Sequence, residues 1–417
     1  MPRVHTRSAG RAERAAPPAD GAPRHHSSAA PTLRASPGRT AVVIGGCGFL
    51  GKHLVGALRN QGVRVVVLDV RLFLIDEWLD AVRGAGPPPT VISAVVDIAD
   101  AAQVQQAFAQ HGPVDVVFHC ASAAPTAAKA ANRAVMERVN VRGTQNILDA
   151  CRAHRVSYLV YTSSASVVFG GRDLVDVDEQ SVTYPRRDVD FYTRTKRVAE
   201  QLVLEAATME RHRAADRTAA PLWAVALRPS GIFGEGDPLF VPTLVDKARR
   251  GRMKFVIGSG RNLMDWTYVG NVVQAHVLAA DTMMRSTRGA QRLSGRAYFI
   301  TNNEPRPFWG FMGDVLEGLG YPRPHIHLPF ALVYPLSWLV SVLAVALAVV
   351  GIRLDTDFTP SRILLATCER RMRCAAAERD FGYRPQVKMD EALRRTVAWF
   401  RRKREHASDG PRKKKRA

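Results

Sequence analysis

At 417 residues, 46% hydrophobic and 23% charged, the chain has the make-up of a folded protein that buries a substantial core as one large domain or two. A formal net charge of +21 and a pI near 10.4 would suit a nucleic-acid binder, but the charge is partly concentrated at the two ends and no nucleic-acid module signature appears; attraction to an anionic membrane surface explains it as well. The five cysteines (Cys47, Cys120, Cys151, Cys368 and Cys374) form no C-x-x-C pair, which speaks against a disulfide framework or a zinc site and for a reduced, cytosol-facing protein.

Residues 1–38 are rich in Ala, Arg, Pro and Ser, poor in acids and without an apolar run, the composition of a disordered arm. The same bias matches an organellar transit peptide, although the prolines and the missing amphipathic period speak against one. A secretory signal is excluded by the lack of an apolar h-region. From Thr40 onward short apolar runs alternate with helical patterns. Ala41–Ile44 reads as a buried strand, followed by a glycine loop and a helix through about Asn60. Val63–Leu68, ending on Asp69, reads as the second strand, and Val91–Val96, ending on Asp97, as the third. Val114–His119, Ser157–Thr162 and Leu222–Leu227 follow as the fourth to sixth, with helices notably over 131–153 and 190–210. Repeated β-α units of this length require parallel strands with right-handed crossovers. The expected fold is therefore α/β, a Rossmann-like doubly wound parallel sheet over 39–230.

The second half is less regular and rich in turns such as Gly234–Pro238 and Thr301–Pro305. It reads as a smaller C-terminal substrate lobe over 231–327, completed by 353–402. Between them, Leu328–Ile352 holds no charged residue and is nearly continuously apolar from Leu336. The run is long enough for a membrane helix, with Pro329 and Pro335 shortening its regular part to roughly 26 Å. A buried core helix is the bland alternative. If the helix expected at 389–400 packs back on the catalytic lobe, a dipping or interfacial anchor fits better than a span. The basic tail, 403–417, ends Lys414-Lys415-Arg416-Ala417. That is the dilysine pattern of endoplasmic-reticulum retrieval on the cytosolic face, or else a solvated basic tail.

The loop Gly45-Gly46-Cys47-Gly48-Phe49-Leu50-Gly51 follows a strand and opens a helix, the context a dinucleotide site requires. Gly45 makes the tight turn, Gly48 admits the pyrophosphate to the backbone, and Gly51 lets helix and strand pack. Unpaired N–H groups at the helix start, with the dipole behind them, favour an anion. Asp69, at the end of the next strand, can accept from both ribose hydroxyls and would repel a 2′-phosphate. NAD is therefore favoured over NADP, with Arg71 as the counterargument.

Tyr192 and Lys196 lie four residues apart, one helical turn, and so share a face. A free phenol, with a pKa near ~10, is a poor base at neutral pH, and an adjacent cation favours its phenolate. Only ten of the 59 basic residues are lysines, so a lysine at 196 stands out where arginine is the default cation. An ammonium is a compact charge that fits against a phenolate and a ribose. Glycine loop and Tyr/Lys pair together point to a dehydrogenase that moves a hydride to or from a nicotinamide.

With these motifs the chain resembles the extended short-chain dehydrogenases, and among them the 3β-hydroxysteroid dehydrogenase branch. The resemblance runs from about Thr40 to Arg402 and includes Thr162–Phe169, Leu227–Gly234, Met253–Gly258, Thr301–Trp309 and Phe381–Pro385. It is strongest to the decarboxylating members of sterol C-4 demethylation. The resemblance implies a catalytic set of Ser164, Tyr192 and Lys196. It also implies cofactor contacts at Phe49, Leu50, Asp97, Ile98, Ala121, Ser122, Pro229 and Ile232, and a helix-kinking Asn140 that positions Lys196 through water. Asp97 and Asn140 have structural roles as their alternatives. Asn271 stands where many extended members carry Asp, which counts against a nucleotide-sugar substrate. The implied reaction is oxidation of a sterol 3β-hydroxyl by NAD with loss of a 4α-carboxylate as CO₂. A dehydrogenase/isomerase is the alternative within the family; a nucleotide-sugar epimerase, a silent NAD-binding scaffold or a nucleic-acid binder fit less well. The substrate would come from the endoplasmic-reticulum bilayer, with other C-4 demethylation enzymes as possible neighbours, and a homodimer is the family's habit.

Overall fold

The computed structural model describes residues 39–72, 90–124, 133–215, 221–350, 356 and 358–409. The N-terminal arm and the Lys414–Ala417 tail lie outside the described residues. In chain order the elements that position the site are β1 (Thr40–Ile44), α1 (Phe49–Asn60), β2 (Arg64–Asp69), β3 (Val91–Val95), α2 (Ala101–His111) and β4 (Val116–His119). They continue with α3 (Gly143–Ala153), β5 (Tyr158–Thr162), α4 (Phe191–Ala215), β6 (Trp223–Pro229), α5 (Val269–Arg285) and β7 (Ala297–Ile300). The C-terminal part adds α6 (Phe330–Val349), α7 (Pro360–Thr367) and α8 (Met389–Asp409).

The seven strands form one parallel sheet in the order β7-β6-β5-β4-β1-β2-β3. Two-residue periodicity sends alternate side chains to opposite faces. Ala41, Val43, Val65, Val67 and Phe118 enter one core with α1 and α5; Val42, Ile44, Val66, Leu68 and Val117 enter the other with α2, α3 and α4. A sheet buried on both faces is why these strands read as continuous apolar runs rather than as alternating ones. The order turns back between β1 and β4, and this is the switch point at which open α/β sheets bind ligands.

The six expected strands are present with ends shifted by one or two residues, while the seventh, β7, comes from beyond residue 230. In exchange, the short strand Leu174–Val177 joins a second sheet with Arg370–Met372, Leu263–Met264 and Arg306–Pro307. The two lobes thus trade segments. Asn271, at the start of α5, ties them further: its amide donates to Asn302 and to the Val387 carbonyl and accepts from the Gln386 and Val387 N–H groups.

The apolar run forms a 20-residue helix, α6, that begins at Phe330 and runs through Pro335. The expected break at that proline is corrected: the helix continues through Pro335, giving up the bond to the Ala331 carbonyl. The helix is about 30 Å long. Leu332 (70%), Leu339 (65%), Val345 (68%) and Val349 (84%) stay exposed, so it is no core helix. Just before it, Ile326–Leu328 pairs with Phe255–Ile257. Just after it, α7 leads into Arg370–Met372 of the second sheet, and Met389, Ala392 and Thr396 bury α8 against the same body.

One buried ion pair staples α4 to the sheet. Glu200, fully buried, takes a bidentate bond from Arg228 of β6 at 2.7 and 2.9 Å and a bond from the Tyr184 hydroxyl at 2.7 Å. Removing one partner of such a pair leaves an uncompensated charge, so Glu200→Gln is expected to lower the unfolding free energy by about 3–5 kcal/mol, as read from urea titration.

Candidate active site

The glycine loop leaves β1 and crosses the carboxyl edge of the sheet. Gly45 adopts φ +78°, and a Cβ there would stand 2.6 Å from the Ala121 Cα, so the turn and the strand β4 exit close on each other only because Gly45 has none. A Cβ at Gly51 would strike the Gly45 carbonyl, which is how the first turn of α1 comes down onto the loop. Gly48 is the N-cap and supplies no side-chain cap, leaving the helix start to an external acceptor. Asp69 is buried at the end of β2; its Oδ2 accepts from the Cys47 N–H at 3.0 Å and its Oδ1 from the Arg71 N–H at 3.2 Å. The Arg71 guanidinium folds back to donate to the Cys47 carbonyl at 3.1 Å, beside Asp69. The cradle and its acid fit a dinucleotide: an open helix start for a pyrophosphate and a nearby carboxylate, bonded to the loop, for a ribose. Phe49 is half-buried and Leu50 buried at the same helix start.

Two of the sequence-derived cofactor positions are occupied by structural bonds. Asp97 accepts from the Ala99 N–H and pairs with Arg138 at 3.1 Å. Ile98 is buried against Gly143, and its carbonyl accepts from Asn146. Both fasten the loop after β3 to the helix that carries Asn140.

That helix is distorted at Asn140. Arg133–Met136 runs into a π-turn over Glu137–Arg142 before α3 begins, and π-turns mark functional positions in helices. The buried Asn140 accepts from the Ala123 N–H at 2.7 Å and the Ser122 hydroxyl at 3.3 Å. It donates to the Ala123 carbonyl at 3.1 Å and the Thr195 hydroxyl at 2.9 Å. Its direct partner on α4 is therefore Thr195, next to Lys196.

Asp190 caps α4 by accepting from the Thr193 N–H, which puts Tyr192 in the first turn and Lys196 one turn on. Lys196 is almost wholly buried: its ammonium donates to the Thr162 carbonyl at 2.6 Å and rests 4.4 Å from the centre of the Tyr161 ring. Burial pulls its pKa down to about 7, against the opposing pull of Glu200 and Cys120. The Tyr192 phenol moves the other way. Burial raises its pKa, Asp190 adds to the rise, and a hydrogen bond with Ser122 only partly offsets them. In the unliganded protein burial leaves the phenol pKa raised, and the Lys196 ammonium gives its hydrogen bond to Thr162.

Ser164 opens the 3₁₀ turn Ala165–Val168. Its hydroxyl accepts from the Ser166 N–H and shares a 2.9 Å bond with the Ser166 hydroxyl. Ser163 is buried. Pro229 ends β6 and the half-buried Ile232 pairs with Thr267, so the two flank Gly231 at the mouth of the second lobe.

Sequence reasoning missed the shell around Lys196. His276 of α5 holds the Thr162 hydroxyl at 2.8 Å; its Nδ1 donates to the Val272 carbonyl, leaving Nε2 as the acceptor. His119 bonds Thr144 at 2.9 Å and stands 5.3 Å from the Tyr161 ring. Burial keeps both imidazoles neutral, with pKa values pulled down to about 3 for His119 and about 4 for His276. Both rings lie inside apolar segments whose pattern declares only burial.

The model of the 3-beta hydroxysteroid dehydrogenase/isomerase family matches residues 42–330. The chain is 39% identical over 365 residues to the decarboxylating sterol-4-alpha-carboxylate 3-dehydrogenase of Mus musculus, covering 88% of this chain and 92% of the mouse protein. It is 39% identical to the 3beta-hydroxysteroid-dehydrogenase/decarboxylase isoform 1 of Arabidopsis thaliana, covering 87% of this chain and 80% of that protein. Among solved structures, the epimerase Mth375 of Methanothermobacter thermautotrophicus superposes with a TM-score of 0.66 at 20% identity, covering 90% of this chain and 96% of that one. The UDP-glucose 4-epimerase of Thermus thermophilus, in complex with NAD, gives 0.59 at 23%, covering 87% and 99%. These likenesses share the fold. The chain belongs to the 3-beta hydroxysteroid dehydrogenase/isomerase family.

A lysine charged in the unfolded chain, with a pKa near ~10.4, and depressed to about 7 when folded opposes folding fully below pH 7. That opposition fades as pH rises from 7 toward 10. Lys196→Met is therefore expected to be more resistant to urea than the wild type at pH 7, with the gap narrowing by pH 9. A gap that stays constant or widens would contradict a desolvated ammonium.

Proposed function

We propose that the chain oxidises the 3β-hydroxyl of a 4α-carboxysterol to the 3-ketone and releases the 4-carboxylate as CO₂, using NAD. The observation that carries the reaction type is a desolvated Lys196 one turn from a half-buried Tyr192; the substrate class rests on the decarboxylating relatives. NAD would supply the hydride acceptor and a positive charge beside the phenol. Asp69 supports NAD over NADP, since its buried carboxylate would repel a 2′-phosphate, and Arg71 is already committed to the Cys47 carbonyl.

Tyr192 accepts the proton of the 3β-hydroxyl as C3 gives up its hydride. Lys196 stabilises the phenolate that must form, an interaction strengthened by the dry surroundings. Ser164 donates to the same oxygen once it turns from Ser166. The resulting 3-keto-4-carboxylate is a β-keto acid. Its C4–carboxyl bond breaks with the electron pair moving to the C3 oxygen, CO₂ leaves neutral, and C4 then takes a proton. Donors already aimed at the 3-oxygen stabilise the enolate.

The exposed apolar face of α6 supports membrane association, because bilayer rather than water would cover it. Its flanking segments fold into one body, which favours a dip over a span. We propose the cytosolic face of the endoplasmic-reticulum membrane as its place, where a sterol would reach the site from the bilayer.

Replacing Tyr192 by Phe removes the proton acceptor and leaves the cradle intact. Oxidation of the 3β-hydroxyl is expected to fall by about 100- to 10,000-fold, with NAD binding, followed by fluorescence quenching, kept. Full turnover by Tyr192→Phe would refute the assignment. Flotation with phosphatidylcholine vesicles tests the anchor: full-length protein should float, and a chain with Leu332, Leu339, Val342 and Val345 changed to Ser should not.

A further inference from the structure

The second lobe holds a cation that neither fold nor mechanism has used. Arg370 lies on the short strand Arg370–Met372, between Leu263–Met264 and Leu174–Val177. Its guanidinium is largely shielded and stands over the Phe169 ring, 5.5 Å from the centroid. Nη2 donates to the Leu365 carbonyl and lies 3.0 Å from the Met264 sulfur, while Nε is buried without a partner. Among the described residues no carboxylate pairs with Arg370. Two other shielded arginines are matched by carboxylates, Arg228 by Glu200 and Arg371 by Asp176 and Glu369. Burial alone pulls the Arg370 guanidinium down to about 10. A shielded guanidinium with an unpartnered N–H is costly to hold, and an anion from outside would offset that cost.

Its position says which anion. Phe169 closes the 3₁₀ turn that Ser164 opens. Met264 packs on Gly231, where a Cβ would lie 2.8 Å from the Met264 methyl carbon, and Gly231 sits between Pro229 and Ile232. The guanidinium is thus bracketed by the two segments that carry the oxygen-binding serine and the nicotinamide-side positions.

We propose that Arg370 receives the carboxylate of the substrate through its planar fork. This rests on the carboxysterol reading above and adds to it the residue that tells a 4-carboxysterol from a neutral 3β-hydroxysterol. The unpaired Nε–H gives the carboxylate its first bond, and Nη2 completes the fork once it turns from Leu365 and Met264; a lysine would keep the charge but not the geometry. The bond is made in the ground state and is released when CO₂ departs neutral, so its loss shows in KM more than in kcat.

The test uses full-length protein in detergent with NAD, given either a 4α-carboxysterol or the matching 3β-hydroxysterol without the acid. For each protein the ratio of the two KM values is measured, which cancels general damage to the pocket. Arg370→Met is expected to raise the carboxysterol-to-neutral KM ratio by roughly tenfold to a hundredfold, the scale of a charge-assisted pair. Arg370→Lys should fall between it and wild type, and it serves alone if the Met variant does not fold. An unchanged ratio in either variant, with wild type turning over the carboxysterol, overturns the role of Arg370 and leaves the function standing. A wild type that oxidises only the neutral sterol overturns the carboxysterol reading, and this inference with it.

Discussion

Burying the Lys196 ammonium opposes folding, and much of the active site is the set of contacts that makes it tolerable. The ammonium cannot keep its water where α4 meets β5. The Thr162 carbonyl at the end of β5 replaces one hydration bond and the Tyr161 face a second contact. Thr162 is itself fixed by His276, so α5 on the far side of the sheet helps to set the carbonyl that holds the lysine. The outcome is an ammonium whose pKa falls close to neutrality, poised to answer a change of charge at Tyr192.

Everything else that touches this region is kept neutral or paired. The His119 and His276 rings are uncharged at pH 7, and burial pushes the Cys120 thiol up to about 11. One turn beyond Lys196, Glu200 is cancelled by Arg228. Asp190 is the exception beside the phenol, whose pKa it raises. Asn140 serves the same end by geometry. Its π-turn and four hydrogen bonds lock the β4 exit, which carries Ser122, to Thr195 on α4, and Ser122 in turn bonds the phenol. In the second lobe, Arg370 has no paired carboxylate among the described residues.

Much of this was legible in the sequence, and the limits follow from what local pattern encodes. Strands buried on both faces announce themselves as apolar runs, so six of the seven were found. Strand β7 was not, because Ala297-Tyr-Phe-Ile300 is four residues of apolar sequence amid turns, too short to tell from packing filler. The glycine loop was readable because glycine stands where a Cβ has no room, at Gly45 and Gly51. Residue type could not say which way the phenol pKa moves, since that depends on the solvent removed from Tyr192 and on where the Lys196 ammonium points. Nor could residue type show that Asp97 also ties the loop after β3 through Ala99 and Arg138. Arg370 was one arginine among 49 until the fold showed its guanidinium shielded and, among the described residues, without a carboxylate.

The central claim is that one set of donors at the 3-oxygen serves both the hydride step and the loss of carboxylate. The most direct measurement is a single-turnover experiment with excess detergent-solubilised protein, NAD and a 4α-carboxysterol labelled in its carboxyl group. NADH and labelled CO₂ are followed from the same mixture. The account predicts one CO₂ for each NADH, with CO₂ never leading. NADH without CO₂ and a stable 3-keto-4-carboxylate, or CO₂ before NADH, would contradict it.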